Sequence, residues 1–389
     1  MKIGIFGGSF NPIHNGHVSF LQQIKHKLNL DKILIVVCKN SLHKNVNLAN
    51  KNDRFEMCKK ATQHLKYVTV SNLEFEINEK GYSVHTLKII KQQNLDDELF
   101  LIVGYDSFLK IHTWYKFKKI LNLAKIVSGY SSEQELKKMN DIILKNKFNA
   151  TLIKLNLLKC HSTMIRIKLA QNLSCSKFLN NEVENYIKIN KLYSLPNALL
   201  HECYNTCKNI LSKKRFNHCI MVSKEAVTLS KIHGENEKLA QITGILHDIV
   251  KEKSNFDLLN IFKLAKINFD NFSEVEKHNP KLWHAPAGAI YCKEILGIEN
   301  EQILNAITWH TTAIAGMTKF EKIIYLADKT SADRKSFITK IERTLARRNL
   351  NKALFFHLKN YFKNALKKNM PIHVNSINCF NELIINKLK

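Results

Sequence analysis

The chain has no Cys-x-x-Cys pair: its nine cysteines, an odd number, are scattered along 389 residues. That pattern points away from a thiolate zinc site and from a disulfide framework, and leaves reduced, packed thiols as the expectation. No uncharged apolar run approaches the roughly 18 residues that span a bilayer, and no opening run of basic then apolar residues reads as a signal peptide. A soluble, cytoplasmic protein with no membrane partner is expected. Acidic residues are also scarce, with 33 Asp and Glu against 60 Lys and Arg and a net charge of +27. Such a charge invites nucleic acid, yet no aromatic-interleaved basic stripe or nucleic-acid motif accompanies it. The lysines are spread through a sequence rich in Lys, Asn and Ile, as compositional drift would leave them. Substrate steering comes second, since a positive field draws polyphosphates, and nucleic acid third.

At this length the chain exceeds one ordinary core and suits two domains. In the first half, Lys2 to Phe6, Lys32 to Cys38, Tyr67 to Leu73, Leu99 to Val103 and Lys125 to Ser128 read as strands, with amphipathic helices between them. Strands alternating with helices imply one parallel sheet, with ligands at the carboxyl ends of its strands. Ser194-Leu195-Pro196-Asn197 marks a stop, and helical periodicity dominates from Ala198 onward. The expected domains are residues 1–195, α/β with a parallel sheet, and 196–389, all helical. No internal repeat is visible, and the tail after Met370 reads as a marginal final helix.

Residues 4 to 17 read Gly-Ile-Phe-Gly-Gly-Ser-Phe-Asn-Pro-Ile-His-Asn-Gly-His. Gly7 and Gly8 let the backbone approach a ligand closely, and the apolar spacing after Gly16 predicts a helix. A helix start favours an anion through its N–H groups and dipole, and His14 and His17 add donors for a reacting phosphoryl group. Further phosphate-compatible groups recur at strand ends and helix starts: His43-Lys44, Arg54, Gly104-Tyr105-Asp106 and Ser162-Thr163-Met164-Ile165-Arg166. Singly each is weak, because a lone Arg or Lys is usually solvated and Ser-Thr before an apolar run is usually a cap. Their order carries more.

Over residues 1 to about 193 the sequence resembles the Rossmann-like nucleotidyltransferases with a His-x-Gly-His signature and a later Ser-Thr-x-Ile-Arg motif. Tyr82-Ser83-Val84-His85-Thr86-Leu87, Gly104-Tyr105-Asp106-Ser107 and Trp114-Tyr115 narrow the resemblance to the nicotinate mononucleotide adenylyltransferases. The resemblance implies attack by the mononucleotide phosphate on the α-phosphorus of ATP, with Mg2+ on the triphosphate and pyrophosphate released. It implies catalytic roles for His14, His17, Lys44 and Arg166, and ATP or phosphate contacts at Gly7, Gly8, Ser9, Phe10, Gly104, Asp106, Ser162 and Thr163. Tyr82, Thr86 and Trp114 would hold nicotinate mononucleotide. Two positions depart from the family pattern: His161 stands where serine is usual, and Val127-Ser128-Gly129-Tyr130 lacks Arg-Pro-Gly, which would weaken a phosphate contact.

The helical half carries His218, His247-Asp248, His284, His310 and Asp328. A lone histidine on an apolar helix face is usually a satisfied core residue. That reading is hard to sustain for four of them with two aspartates. Nitrogen and carboxylate donors without thiolate suit two borderline divalent metals such as iron, manganese or zinc. With Lys214-Arg215-Phe216-Asn217-His218, Gly244 to Lys251, Trp309-His310-Thr311-Thr312 and Ala327-Asp328 around them, residues 198 to about 370 resemble the HD-domain phosphohydrolases that split diadenosine tetraphosphate symmetrically. The resemblance implies that Asp248 bridges two metals, iron foremost, with His218, His247 and Asp328 on one and His284 and His310 on the other. Arg215, Lys251 and Arg334 are candidate phosphate contacts. The whole is expected to be bifunctional, with ATP, nicotinate mononucleotide and diadenosine tetraphosphate as small-molecule partners. The alternative is a helical half that acts on another nucleotide or senses nucleotides without cleaving them. Self-association is left open.

Overall fold

The computed structural model describes residues 1–39, 49–76, 81–194 and 197–388. The chain divides into two compact units, Met1–Pro196 and Asn197–Lys389.

The first unit is a six-stranded, all-parallel sheet with helices on both faces. Its strands are β1 (Lys2–Gly8), β2 (Lys32–Val37), β3 (Val68–Ser71), β4 (Glu98–Val103), β5 (Lys125–Tyr130) and β6 (Ala150–Lys154), in the order β3-β2-β1-β4-β5-β6. The register runs Gly4 to Ile33 on one side of β1 and Gly4 to Phe100 on the other. Central strands buried on both faces explain the unbroken apolar runs of β2 and β4. Five strands follow the sequence expectation; β6 does not. Its five residues, Ala-Thr-Leu-Ile-Lys, bury only Ile153 on the sheet's edge, too little to stand out as an apolar run.

Helices α1 (Asn15–Leu28), α2 (Lys51–Thr62), α3 (Ser83–Gln93), α4 (Phe117–Leu123), α5 (Glu133–Asn146), α6 (Ser162–Ala170) and α7 (Asn181–Ile189) cover the sheet. Val18, Leu21 and Ile24 of α1, Met57 of α2, Met164 and Ile165 of α6 and Val183 and Ile187 of α7 share one core with Phe6 and Ile35. Leu87 of α3, Ile120 of α4 and Met139 of α5 share the opposite core with Ile3, Ile5 and Leu101.

The second unit contains α8 (Ala198–Ile210), α9 (Lys213–His233), α10 (Glu237–Leu246), α11 (Asn255–Leu264), α12 (His284–Ile290), α13 (Glu301–Trp309), α14 (Lys319–Thr330), α15 (Phe337–Arg348), α16 (Leu350–Lys367) and α17 (Val374–Leu388). Side-chain caps fix several starts: Ser212 accepts from Arg215 N at α9, Asn236 from Leu239 N at α10, and Thr318 forms a reciprocal box with Glu321 at α14. Such caps satisfy orphan N–H groups. No helix among the described residues is long and apolar enough to cross a membrane.

The crossing of α9 and α10 depends on Gly244. A Cβ there would lie 2.5 Å from Ser223 Cα and 2.8 Å from Ser223 N, both backbone atoms. Replacing Gly244 with alanine forces the two helices apart. The G244A protein is expected to lose about 1–3 kcal/mol of second-unit stability, as overpacking does. Calorimetry should show that unit's melting transition several degrees lower, and an unchanged transition would contradict the packing argument.

Candidate active sites

Sheet order reverses between β1 and β4, and the crevice at such a point is where open α/β sheets bind ligands. Gly7 and Gly8 end β1, and Gly104 follows β4 directly. A Cβ added at Gly7 or Gly104 would meet nothing within 4 Å, so both strand exits border open space. At Gly8, by contrast, a Cβ would sit 2.9 Å from the Phe10 ring, whose backbone takes a left-handed φ of 45°.

The loop then delivers His14 to the start of α1 as its N-cap. His14 Nδ1 accepts from His17 N at 3.3 Å, and His17 Nδ1 accepts from His14 N at 3.2 Å. The two rings stack with centroids 3.6 Å apart. A nitrogen that accepts from an amide carries no proton, so each neutral ring holds its proton on Nε2. Burial, with the His17 and His161 rings adding to it, pushes His14 well below the ordinary histidine range, and the ring is neutral. Gly16 permits the stack, since a Cβ there would come 3.0 Å from His14 Nδ1. No acidic residue occupies the first turn of α1, so its positive end is uncompensated.

The start of α6 packs against the same loop. Ser162 Oγ donates to Pro12 O at 3.0 Å, and the buried Arg166 guanidinium donates to Asn11 O at 2.7 Å and Thr163 Oγ1 at 3.2 Å. Ser162, Thr163 and Arg166 therefore join His14 and His17, bracing the loop through its carbonyls. Arg54 lies deeper, with Nε on Ala49 O, one terminal nitrogen on Ser9 O and the other on Lys39 O. It serves as a latch beneath Ser9. Lys44, with His43, lies outside the described residues.

Tyr82 precedes α3 and Thr86 sits in its first turn, where Thr86 Oγ1 donates to the buried Glu74 carboxylate at 3.0 Å. Trp114 packs half-buried against the β1–β4 core. Its neighbour Tyr115, 45% exposed, supplies the ring contacts instead, 4.6 Å from Tyr82 and 6.1 Å from His85. Glu74 was not among the residues expected from sequence, and His85 and Tyr115 stood within the segments Tyr82 to Leu87 and Trp114-Tyr115 without an assigned role. Asp106 lies exposed in the short turn Tyr105–Phe108. Val127 and Ser128 are fully buried within β5, with Ser128 Oγ donating to Val103 O.

In the second unit all six expected ligand residues converge and are buried. His218 lies on α9, His247 caps the C-terminus of α10 with Asp248 next, His284 opens α12, His310 follows α13, and Asp328 lies on α14. The Asp248 carboxylate divides between two pairs. Its Oδ1 is 3.2 Å from His284 Nε2 and 3.5 Å from His310 Nε2, while its Oδ2 is 3.5 Å from His247 Nε2 and 4.0 Å from His218 Nε2. Asp328 Oδ1 lies 3.2 Å from His218 Nε2.

Each ring is anchored through its other nitrogen. His247 Nδ1 donates to Gly244 O (2.8 Å), His284 Nδ1 to Lys281 O (2.7 Å) and His310 Nδ1 to Ile307 O (2.6 Å), each a carbonyl three residues earlier. His218 Nδ1 donates to Asp333 Oδ2 at 2.8 Å. Carbonyls and carboxylates only accept, so Nδ1 carries a proton in all four rings; Nε2 stands without a hydrogen bond at His247, while at His218 it faces the Asp328 carboxylate. Burial pushes His247 down to about 4 and also lowers His284 and His310. For His218 burial acts the same way, but Asp328 and Asp333 outweigh it and raise the group. Arg215 reaches Asp248 Oδ2 at 2.8 Å, Arg334 reaches Asp328 Oδ1 at 2.8 Å, and Lys251 Nζ lies 3.0 Å from His284 Nε2. Lys329, not expected from sequence, pairs with Asp328 Oδ2 at 2.8 Å.

A divalent metal fits this arrangement on two counts. His247 Nε2 is fully buried and makes no hydrogen bond, a costly state for an imidazole nitrogen that a metal would relieve. The donors are imidazole and carboxylate, and two groups of ligand atoms, His218/His247/Asp248 and Asp248/His284/His310, each lie within 4.8 Å of one another.

Comparison with known proteins agrees with both halves. The cytidylyltransferase-like family matches residues 5–168 and the HD-domain family matches residues 215–333. The chain therefore joins a nucleotidyltransferase-type domain to a metal-binding HD domain. A Mycoplasma genitalium protein named probable nicotinate-nucleotide adenylyltransferase/Ap4A hydrolase is 30% identical over 94% of this chain and 99% of its own length. The chain belongs to that family of fused proteins. A Fusobacterium nucleatum protein named probable nicotinate-nucleotide adenylyltransferase is 33% identical over 48% of the chain and 97% of its own length. A Bacillus subtilis protein named symmetrical bis(5'-nucleosyl)-tetraphosphatase is 34% identical over 46% of the chain and 93% of its own length.

The two sites should carry opposite histidine tautomers. Ring 15N shifts of the metal-free protein, assigned through single His→Gln variants, are expected to report Nε2–H for His14 and Nδ1–H for His247 and His310. The same tautomer at both sites would refute the assignment.

Proposed function

We propose that the chain performs two reactions. The first unit transfers the adenylyl group of ATP to nicotinate mononucleotide, giving nicotinate adenine dinucleotide and pyrophosphate. The second hydrolyses diadenosine tetraphosphate symmetrically to two ADP. The observation that carries this reading is the match across 99% of a relative named for both activities. That all six ligand positions are filled and buried favours a hydrolase over a module that merely holds nucleotide.

In the first unit the strand exits at Gly7, Gly8 and Gly104, with Ser9 and Phe10, would admit the ATP phosphates, and Asp106 the adenosine side. The start of α1 then offers amides and a positive dipole end to the phosphate. His14 and His17, with protons on Nε2, donate toward the reacting phosphoryl oxygens and need no proton transfer. Arg166 holds the loop that carries them, and Lys44, Ser162 and Thr163 add phosphate donors. Tyr82, Tyr115 and the Thr86 turn would hold the mononucleotide, with Trp114 behind them. Preorganised donors of this kind stabilise charge that grows in the transition state. Mg2+ would arrive with ATP.

In the second unit His218, His247, Asp248 and Asp328 would hold one divalent metal and Asp248, His284 and His310 a second, iron being the favoured ion and manganese or zinc the others. Two such ions supply Lewis acidity and a more acidic water. Asp248 would contribute to both, since its Oδ1 faces His284 and His310 and its Oδ2 faces His247 and His218. Arg215 and Arg334 lie beside the carboxylates and Lys251 beside His284, where they would meet the polyphosphate as it arrives.

The full-length variants H17A and D248A separate the activities. H17A is expected to lower turnover of dinucleotide synthesis by a hundredfold or so, with little change in KM, and to leave hydrolysis intact; roughly 10²–10³ is the usual loss for one such donor. D248A should abolish hydrolysis and spare synthesis. Unchanged synthesis in H17A would remove His17 from the mechanism, and an unaffected D248A would refute the metal reading. Acidification gives a further test. Asp328 and Asp333 raise His218 while burial lowers His247, His284 and His310, so as pH falls a proton is expected to compete with metal for Nε2 of His218 first. Metal content measured at falling pH should drop in two steps, the first abolished by H218A; a single step would contradict the assignment.

A further inference from the structure

We propose that Asp333 is the positioning residue of the second site. It holds His218 with its proton on Nδ1 and its lone pair aimed at the ligand cluster, and it makes that ring a stronger metal donor.

His218 differs from the other three histidines in its place on the backbone. His247, His284 and His310 sit at helix ends or turns, where the carbonyl three residues earlier is open to the ring. His218 lies inside α9, and there the preceding carbonyls belong to the helix ladder. Its Nδ1 needs an acceptor from elsewhere, and Asp333 Oδ2 supplies one at 2.8 Å.

Asp333 is itself held in place. It belongs to the turn after α14, closed by Arg334 N on Ser331 O at 3.0 Å. From α15, Arg343 braces that turn through three carbonyls, Thr330 O at 2.7 Å, Ser331 O at 2.9 Å and Arg334 O at 3.2 Å. The same turn reaches the other ligand, since Arg334 Nε donates to Asp328 O at 3.0 Å. One braced turn thus sets both His218 and Asp328. A carboxylate behind a ligating imidazole fixes the ring and raises its basicity, and losing such a partner typically costs about 10–100-fold in metal affinity. An amide at position 333 could still accept from Nδ1–H but would bring no charge.

The proposal rests on the metal reading of the second site, and the test keeps the two apart. Mn2+ alone is titrated into the full-length wild type, D333A and D333N, with free ion read by electron paramagnetic resonance. The ring 15N shifts of His218 are recorded in the metal-free proteins, above the pH at which the ring gives up its second proton. D333A is expected to bind Mn2+ about 10–100-fold more weakly and to lose its preference for Nδ1–H. D333N should keep the Nδ1–H signature and fall between D333A and wild type in affinity. Because D333N is isosteric, it carries the test even if melting curves show that D333A does not fold. Wild-type affinity in D333A or D333N would overturn the proposal, as would D333N binding no better than a folded D333A. A wild-type chain that takes up no Mn2+ would overturn the proposal and the metal reading together.

Discussion

The placement of a single proton on each imidazole, dictated by the group hydrogen-bonded to Nδ1, is the constraint on which both sites depend. In the first unit the backbone N–H groups at the start of α1 occupy Nδ1 of His14 and His17 and leave the proton on Nε2. In the second, carbonyls and one carboxylate accept from Nδ1–H and leave Nε2 to face the ligand cluster. One residue type thereby becomes a hydrogen-bond donor to an anion in one place and an electron-pair donor to a cation in the other. Neither use requires a special pKa.

The units also handle buried charge in different ways. Asp248 and Asp328 are carboxylates in a helical interior. Burial alone would raise both; the His247, His284 and His310 rings outweigh it at Asp248, and Lys329, His218 and Arg334 at Asp328, so both stay well below the usual carboxylate range. Charge there is concentrated where a cation belongs. In the first unit Arg54 is a buried charge satisfied by three backbone carbonyls. It spends its hydrogen bonds on shape.

Much of this was legible in the sequence because local rules govern it. The glycine exit, the histidines around Gly16 and the alternation of strands and helices are short-range patterns, and five strands follow from them. The six ligand positions were readable because buried histidines and aspartates in that number are expensive without a shared purpose. What escaped depends on distance along the chain. β6 gains its identity from pairing with β5, Gly244 from a backbone 21 residues away at Ser223, and Asp333 from a ring 115 residues earlier. Nothing local separates Asp333 from a solvated surface acid. Tyr115 shows a subtler limit, since adjacent aromatics at 114 and 115 give no hint of which one faces the core.

Arg54 has a consequence for how such a chain can diversify. Its guanidinium holds Ser9 O, Lys39 O and Ala49 O at once, so three separate stretches of backbone are pinned by one side chain. A change at position 54 frees all three carbonyls together, and the loop that leads to His14 loses its latch beneath Ser9. Position 54 and that loop are therefore bound to vary as a unit.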